Sequence, residues 1–512
     1  MTKMCLNKAI EDSKKIRNTK LWLLLSLGIV VAFCVAFFVR SHSFSVPTWV
    51  LFEEKEITSK NGLFVTLSDG KVSVKDSESA IKWSSGDELK VQDILLSDLD
   101  GDEIEELIAL VWKKGKYGKD MPFWVSQNDN ELSQHIFIYE LMPDGNVKQK
   151  WFASDIGQQI SRMKMMEKNS MILLTETVSG ENNLWKWDSF GLKSFKNKVT
   201  FVAFGDNIIH SEIYDYAYKA QKGNFDFLYE PFKEEIESAD IAAIQAETIL
   251  VDKDSAVSGY PYFGSPLAVG EAIAKAGFDI AVCGNNHALD KGIYGIDVTT
   301  DFYDENGVIC IGIQSSSACY EPYKLISRNG IKFALFSYTY GTNGIDISEK
   351  YPYAVHYLPK ISEESSYKPE TVDSVSDEAS RDEVQNKLSI ISDITSARNK
   401  ADIVIVFVHW GEEYSTEITE EQKYYAEVFA RAGADVVIGT HPHVIQEMET
   451  ITRPDGEPMT IFYSLGNFRA YQGFSSETQT GAEAKLTFEH TYDGVRLTDA
   501  QMNEINAYVE LK

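Results

Sequence analysis

The feature that most constrains this chain is a formula repeated in its second half. Each copy begins with Asp, runs through small or apolar residues, and stops at a side chain able to bind a metal or move a proton. "ADIAAIQAE" leads from Asp240 to Glu247, and "FDIAVCGNNH" from Asp279 to Asn286 and His287. "ADIVIVFVHW" leads from Asp402 to His409, and "ADVVIGTHPH" from Asp435 to His441 and His443. A fifth run, "VTFVAFGD", stops at Asp206. Short, continuously apolar runs read as strands buried on both faces. The stretches "SPLAVGEAIAKAGFD", "NKLSIISDITSARNKAD" and "EEQKYYAEVFARAGAD" carry helical spacing and each leads into such a run. This alternation predicts an α/β fold, in which sites form at the carboxyl ends of strands. Five strand ends therefore offer their side chains to one region.

Histidine usage sharpens the expectation. The chain has 9 histidines, and four of them are His287, His409, His441 and His443. A lone histidine at a strand tip is more often a hydrogen-bonded structural residue than a ligand. Four at equivalent tips, beside Asp, Glu and Asn, point to metal binding or acid–base chemistry. Mixed nitrogen and oxygen donors suit Mn, Fe or Zn, as one or two ions. Two ions bridged by a carboxylate, roughly 4 Å apart, clamp a tetrahedral anion and activate a bound water. Pro442 fixes the backbone between His441 and His443, so that their side chains diverge.

The region 45–197 has a different grammar. "LFVTLSDGKVSVKD" and "HIFIYELMPDGNVKQKW" show alternation, a glycine turn and more alternation, which predicts hairpins. "IKW" ending at Trp83 recurs as "QKW" ending at Trp151, and "ILLSDLDGDEIEELIALV" is answered by "RMKMMEKNSMILLTETV" at a similar offset. The spacing predicts a small all-β domain of propeller-like units. In its first copy Asp98, Asp100, Asp102 and Glu106 stand at positions one, three, five and nine of a loop that Gly101 allows to turn tightly. That arrangement reads either as a calcium loop, similar to those of FG-GAP-type propeller repeats, or as an acidic, solvated turn.

Residues 21–39, "LWLLLSLGIVVAFCVAFFV", form an apolar run long enough to cross a bilayer. Lys3, Lys8, Lys14, Lys15, Arg17 and Lys20 precede it, so the positive-inside rule puts a tail of residues 1–20 in the cytoplasm. The rest then lies outside a bacterial plasma membrane, held by a single pass. A cleaved signal peptide is the rival reading, but the run is long and no A-x-A-like site follows it. With 49 basic and 77 acidic residues the net charge is −28, which argues against nucleic-acid binding. The 5 cysteines are no disulfide framework, although Cys310 and Cys319 could pair. The acidic, serine-rich stretch 361–383 reads as a surface excursion.

The ordered motifs "FGDNII", "IQAETIL", "GNNHALDKGIYGI", "HWGEEY", "GTHPHVIQEME" and "FYSLGNF", across residues 204 to 468, carry a resemblance. Together they resemble the capsule synthesis protein CapA family of poly-γ-glutamate biosynthesis (PgsA type), itself similar to the calcineurin-like metallophosphoesterases. The resemblance implies a sandwich of two sheets flanked by helices over 198–512. It implies Asp206 as first metal carboxylate and Glu247 in the place of a bridging Asp. It further implies Asn286 on metal, His287 as acid or transition-state contact, His409 as an isolated ligand, and His441 and His443 as the final pair. Asp290 would orient His287 or cap the next helix. Around them Gln245, Asn285, Glu413, Tyr414 and Asn467 read as support or substrate contacts, Glu413 and Tyr414 holding His409 or a substrate amine unless Glu413 merely starts a helix. Trp410 reads as packing. Two departures stand out: Ile208 occupies the position where phosphoesterases place a histidine, with His210 two positions late and read as a surface residue, and Gln245 stands where the family has Asn. The functions implied are a metal-dependent hydrolase of a cell-envelope substrate, or a non-catalytic, metal-stabilised component that binds poly-γ-glutamate or its synthase complex. A calcium-dependent adhesion role for the β region is the weaker third.

Overall fold

The computed structural model describes residues 46–117, 131–153, 156–166, 171–359 and 389–511. The expected tail, the apolar run 21–39 and the acidic excursion 361–383 lie outside the described residues. Among the described residues no helix is long and apolar enough to cross a membrane. Cys283, Cys310 and Cys319 are all free thiols, so the pairing of Cys310 with Cys319 does not form. The chain divides into two compact units, one of Met1–Gly180 with Lys186–Lys193, the other of Glu181–Trp185 with Ser194–Lys512.

The first part of the chain folds into four-stranded sheets, each an up-and-down run of consecutive strands. One comprises Lys55–Thr58, Phe64–Ser68, Lys71–Lys75 and Ile81–Ser84; the next Lys90–Ser97, Glu105–Lys114, Leu132–Leu141 and Val147–Phe152. A third begins with Ile160–Met165 and Ile172–Thr177. The sequence repeat has a structural counterpart here: Trp83 and Trp151 both lie in the last strand of their sheets. The two paired hairpins are the opening strands of successive sheets. Alternate residues such as Val65, Val72, Val91, Leu107 and Phe137 form a common apolar core.

In the second unit the chain lays down β1 (Lys198–Asn207), β2 (Ile241–Ala246), β3 (Ile280–Val282) and β4 (Ile309–Ile311) in one sheet. It then crosses to a second sheet with β5 (Lys324–Arg328), β6 (Ile331–Thr339), β7 (Ile403–His409), β8 (Val436–Thr440), β9 (Ile445–Thr452) and β10 (Pro458–Leu465). It returns with β11 (Asn467–Arg469), β12 (Thr480–Thr491) and β13 (Gly494–Asn506). The sheet orders are β4-β3-β2-β1-β12-β13, with β11 on the tip of β1, and β5-β6-β7-β8-β10-β9. Successive side chains of a strand point to opposite faces. Thus Phe201 and Ala203 join Phe333, Ile405, Phe407 and Ile438 in a core between the sheets. Val202, Phe204 and Ile244 face the helices α1 (Ser211–Ala220), α2 (Lys233–Ser238), α3 (Leu267–Ala276) and α4 (Gly292–Glu305). On the far side, Phe336, Val404 and Val406 pack on Tyr425 and Phe429 of α5 (Glu420–Ala432). Burying a ring such as Phe429 contributes about 2–3 kcal/mol. The second unit is therefore a two-sheet sandwich flanked by helices.

The repeated Asp has a physical task. Asp240 Oδ2 accepts the backbone N–H of Thr200, Asp279 Oδ2 that of Ala242, Asp402 Oδ2 that of Lys332, and Asp435 Oδ2 that of Val404, at 2.7–2.9 Å. Each acceptor precedes its strand and binds the neighbouring parallel strand near that strand's start. The register of each parallel pair is pinned at one end, so the residues about six to eight positions on emerge together at the other. Helix ends follow the same local logic. Thr419 and Gln422 form a capping box before α5, and Gly277 and Gly433 take left-handed conformations after α3 and α5.

Candidate metal centre

The site starts from a fault in β1. The register of β1 against β2 shifts between Phe204 and Asp206. At the intervening Gly205 a Cβ would lie 1.9 Å from the carbonyl oxygen of Gly466. Only glycine lets the two backbones meet, and the bulge turns Asp206 into the space above the strand tips. There Asp206 Oδ2 accepts the backbone N–H of His441 and lies 3.1 Å from His443 Nδ1. Both histidines have left-handed backbones, with φ of 102° at His441 and 58° at His443. The kink expected of Pro442 is thus made by the residues on either side of it. Strain of about 1–3 kcal/mol per residue marks functional positions when neighbours enforce it.

The remaining tips close around this pair. Glu247 Oε1 lies 3.8 Å from His443 Nε2 and 3.6 Å from His409 Nε2. His409 Nδ1 lies 3.8 Å from Asp206 Oδ1, and its Nε2 is 3.1 Å from Asn286 Oδ1. Ligand atoms of Glu247, His441 and His443 all fall within 4.8 Å of one another. Asp206, Glu247 and His409 are fully buried and Asn286, His441 and His443 nearly so. The five tips therefore do converge, and His287 stands beside them.

Two observations test whether these residues fit a cation. First, Asp206 Oδ1, both carboxylate oxygens of Glu247, and His441 Nδ1 are buried without a hydrogen-bond partner. Orphaned buried acceptors cost about 1–3 kcal/mol each, more when charged. Second, burial and the neighbouring Asp206 carboxylate push Glu247 well above the usual carboxylate range. Burial, then the neighbouring imidazoles, hold His409 and His441 well below the usual histidine range, so both are neutral. Neutral imidazoles are the form a metal requires of its ligands, and a cation between Asp206 and Glu247 would offset the burial and mutual repulsion that push Glu247 up. Separations of 3.1–3.8 Å also match the edges of a coordination polyhedron with bonds of about 2.1 Å. The residues fit one or two divalent ions.

The supporting residues fall into place unevenly. Asp290 Oδ2 lies 2.7 Å from His287 Nδ1 and also accepts the Phe263 backbone N–H. It orients His287 and does not cap α4, whose N-cap is Lys291 without a side-chain bond. Asn285 braces the loop, donating to the carbonyls of Ala246 and Cys283 and accepting from the His287 N–H. Asn467 donates to Gln472 and to the Thr478 carbonyl, while its Oδ1 and the Gln245 Nε2 are buried orphans. Glu413 and Tyr414 are exposed and do not hold His409, and α5 starts only at Glu420, so neither starts a helix. His409 is instead held by Thr440 Oγ1, 3.0 Å from its Nδ1. Trp410 is buried packing, its indole N–H donating to the Tyr463 carbonyl. His210 is not a surface residue. It is half-buried, edge-on to Phe263, and its Nδ1 accepts the Tyr471 N–H.

Tyr340 and Asn343 escape the sequence reading, because the tip of β6 carries neither His nor carboxylate. The Tyr340 ring lies 4.6 Å from that of His441, and Asn343 Nδ2 lies 3.4 Å from His287 Nδ1. Position at the end of a parallel strand was the available signal. A cavity of about 730 Å³ lined by Cys310, Gln314, Ser337 and His356 includes none of the cluster residues.

In the first unit, Asp98, Asp100 and Glu106 converge within 4.8 Å. Asp102 is not part of that group; it accepts the Ile104 N–H and lies 4.0 Å from Lys150 Nζ. Lys150 Nζ lies 2.7 Å from both Asp100 Oδ2 and Glu106 Oε1, supplying a positive charge the sequence reading did not anticipate.

Comparison with known proteins decides the family. The "Bacterial capsule synthesis protein PGA_cap" family matches residues 200–472, which contain every strand tip of the cluster. The chain belongs to this family. It is 30% identical over 199 residues to the PGA biosynthesis protein CapA of Bacillus subtilis (strain 168), covering 39% of this chain and 44% of that protein. It is 26% identical over 234 residues to the capsule biosynthesis protein CapA of Bacillus anthracis, covering 45% and 48%. The chain thus spans about half the length of the curated relatives it matches. Among solved structures, the calcineurin-like phosphoesterase YfkN from Bacillus subtilis aligns with a TM-score of 0.30 and 14% identity over 60% of this chain and 91% of that one. A hypothetical protein from Thermus thermophilus aligns with a TM-score of 0.34 and 14% identity, over 60% and 99%.

Proposed function

We propose that this PGA_cap-family chain is a metal-dependent hydrolase of the phosphoesterase type acting on a cell-envelope substrate. In this reading the apolar run 21–39 anchors it with the bulk outside the cell. The observation that carries the reading is the set of orphaned, buried oxygens on Asp206 and Glu247, facing histidines held neutral. Asp206, Glu247, Asn286, His409, His441 and His443 would hold the ion or ions, which when bound polarise a tetrahedral anion and lower the pKa of a water. His287 would protonate the leaving group, its tautomer set by Asp290. Thr440 would keep the His409 ring aligned. Burial of every group keeps bulk water from competing for the anion.

A second reading, a metal-stabilised but non-catalytic part of a poly-γ-glutamate or capsule assembly, draws support from Ile208. That residue is buried where phosphoesterases carry a histidine. One experiment separates the two. The purified chain and a His409→Ala, His441→Ala double variant are compared for bound divalent metal and for hydrolysis of phosphoesters and γ-glutamyl peptides. The hydrolase reading expects bound metal and turnover in the parent and neither in the variant. Metal without turnover favours the assembly component, and turnover retained in the variant removes the metal-centre reading.

A further inference from the structure

Three aromatic rings stand open to solvent around the cluster: Tyr260 at 79% exposure, Phe474 at 66% and Tyr414 at 47%. Tyr414 sits 5.8 Å from the ring of His443 and 5.1 Å from that of Phe474. Tyr260 lies 6.3 Å from Phe263, whose ring packs edge-on against His287 at 4.7 Å. Tyr414 and Phe474 thus stand beside His443, and Tyr260 reaches the acid–base pair through Phe263. Tyr414 is held there at a cost. Its backbone is left-handed, φ 62°, and its N–H donates to the carbonyl of Pro442, between the two histidines. A non-glycine residue forced into that conformation, with its ring in water, points to a function for the ring. Exposed apolar surface rimming a polar site marks a binding surface.

The rim also has a charge. The carboxylate of Glu413, next to Tyr414, is near enough to raise Glu247, Tyr340 and Tyr414. An acidic, aromatic rim repels a polyanion and accepts a neutral ring with one apolar C–H face and hydroxyls at its edge. The geometry points to a sugar subsite: the rings of Tyr414, Phe474 and Tyr260 stack a pyranose of the substrate, placing the group it bears at the cluster. The subsite deepens the hydrolase reading and rests on it for the reaction, although binding of the sugar is separable. A nucleobase would stack as well, but its phosphates beyond the reacting one would meet Glu413.

Saturation-transfer NMR on the full chain tests this, with neutral hexopyranose oligosaccharides, nucleosides and γ-glutamyl peptides as separate probes. The expected result is transfer to the oligosaccharides, with affinity falling about three- to tenfold for each of Tyr414→Ala, Phe474→Ala and Tyr260→Ala. Tyr414→Phe keeps most of the affinity, and unchanged melting temperatures show that the exposed substitutions leave the fold intact. His441→Ala binds the sugar normally, so loss of turnover there bears only on the hydrolase reading. Absence of transfer to every oligosaccharide, binding unchanged in the three alanine variants, or preferential binding of nucleosides or γ-glutamyl peptides would each overturn the subsite.

Discussion

The chain builds two clusters of carboxylates and treats their charge in opposite ways. In the first unit, Asp100 and Glu106 share the ammonium of Lys150, which is 10% exposed and also lies over the Trp187 ring. In the second, no lysine or arginine ion pair reaches Asp206 or Glu247 among the described residues, His409 and His441 beside them are held neutral, and three of their four oxygens have no partner. A cluster with an internal cation is complete as it folds. A cluster of buried, orphaned acceptors is complete only with a cation from outside. Convergence of acidic residues alone therefore says little, and the partner of each oxygen says which cluster waits for an ion.

The largest effect expected from this contrast lies in the first unit. Lys150→Met removes the cation and leaves Glu106, fully buried, beside Asp100. Breaking such a pair costs about 3–5 kcal/mol, read as a fall in the denaturant midpoint of the first unit's transition. Calcium should then stabilise the variant and leave the parent unchanged. If calcium stabilises the parent equally, Lys150 is not the counter-charge and the two clusters are alike.

Next comes the second cluster. A divalent ion held 100-fold above its dissociation constant stabilises a protein by about 3 kcal/mol. Adding Mn, Fe or Zn to metal-stripped protein should raise the melting temperature, and a chelator should reverse it. Glu247→Gln sharpens the point. Without metal it relieves the repulsion with Asp206 and should be neutral or stabilising, while the gain from added metal disappears. A variant destabilised in the stripped protein and still responsive to metal would place Glu247 outside the centre.

Much of this contrast was legible in the sequence, for identifiable reasons. Asp, apolar run and polar tip recur because a parallel strand must be apolar on both faces and its only free chemistry is at its ends. The strands and the convergence of Asp206, Glu247, Asn286, His409, His441 and His443 follow from that rule, whereas the two-sheet sandwich was implied by the family resemblance. What failed to show was whatever depends on side chains meeting from unrelated stretches. Lys150 is 44 residues from Glu106, and nothing local announces the pairing. Tyr340 and Asn343 carry no metal-ligand chemistry of their own. His210 reads as a surface residue in the sequence because its partners, Phe263 and Tyr471, are 53 and 261 positions away. The bulge at Gly205 was hidden as well, since the glycine's reason is a carbonyl at Gly466, between β10 and β11.

Acid sensitivity offers a control outside both clusters. Burial lowers His356 to about 4, and its Nε2 faces Gln314 Oε1 at 3.1 Å. Among the charged groups near it, Glu321 raises it and Lys324 lowers it, less than burial does. The unfolded chain takes up this proton near pH 6.5 and the folded one only near 4, so stability is full above 6.5 and falls as pH drops through that window. The loss approaches about 3 kcal/mol. His356→Gln should flatten the melting-temperature profile between pH 6.5 and 4, leaving whatever acid loss the metal cluster causes. A profile unchanged in the variant would assign the whole acid loss elsewhere.

The smallest effect tests how finely the second cluster is aligned. Thr440 contributes one oxygen, 3.0 Å from His409 Nδ1, and is itself no ligand. Thr440→Val keeps the shape and removes the hydroxyl, freeing the ring's tautomer and tilt. Groups that hold a metal-binding histidine are worth tenfold to a hundredfold in metal affinity, so metal should bind about tenfold more weakly, roughly 1.4 kcal/mol. Thr440→Ser should restore the parent affinity. The same substitution cannot disturb the first cluster, because Lys150 needs no alignment of a ring, only proximity of charge. If Thr440→Val binds metal as tightly as the parent, His409 is either positioned by Asn286 alone or is not a ligand. Titrating metal into Thr440→Val and Asn286→Ala separately decides which.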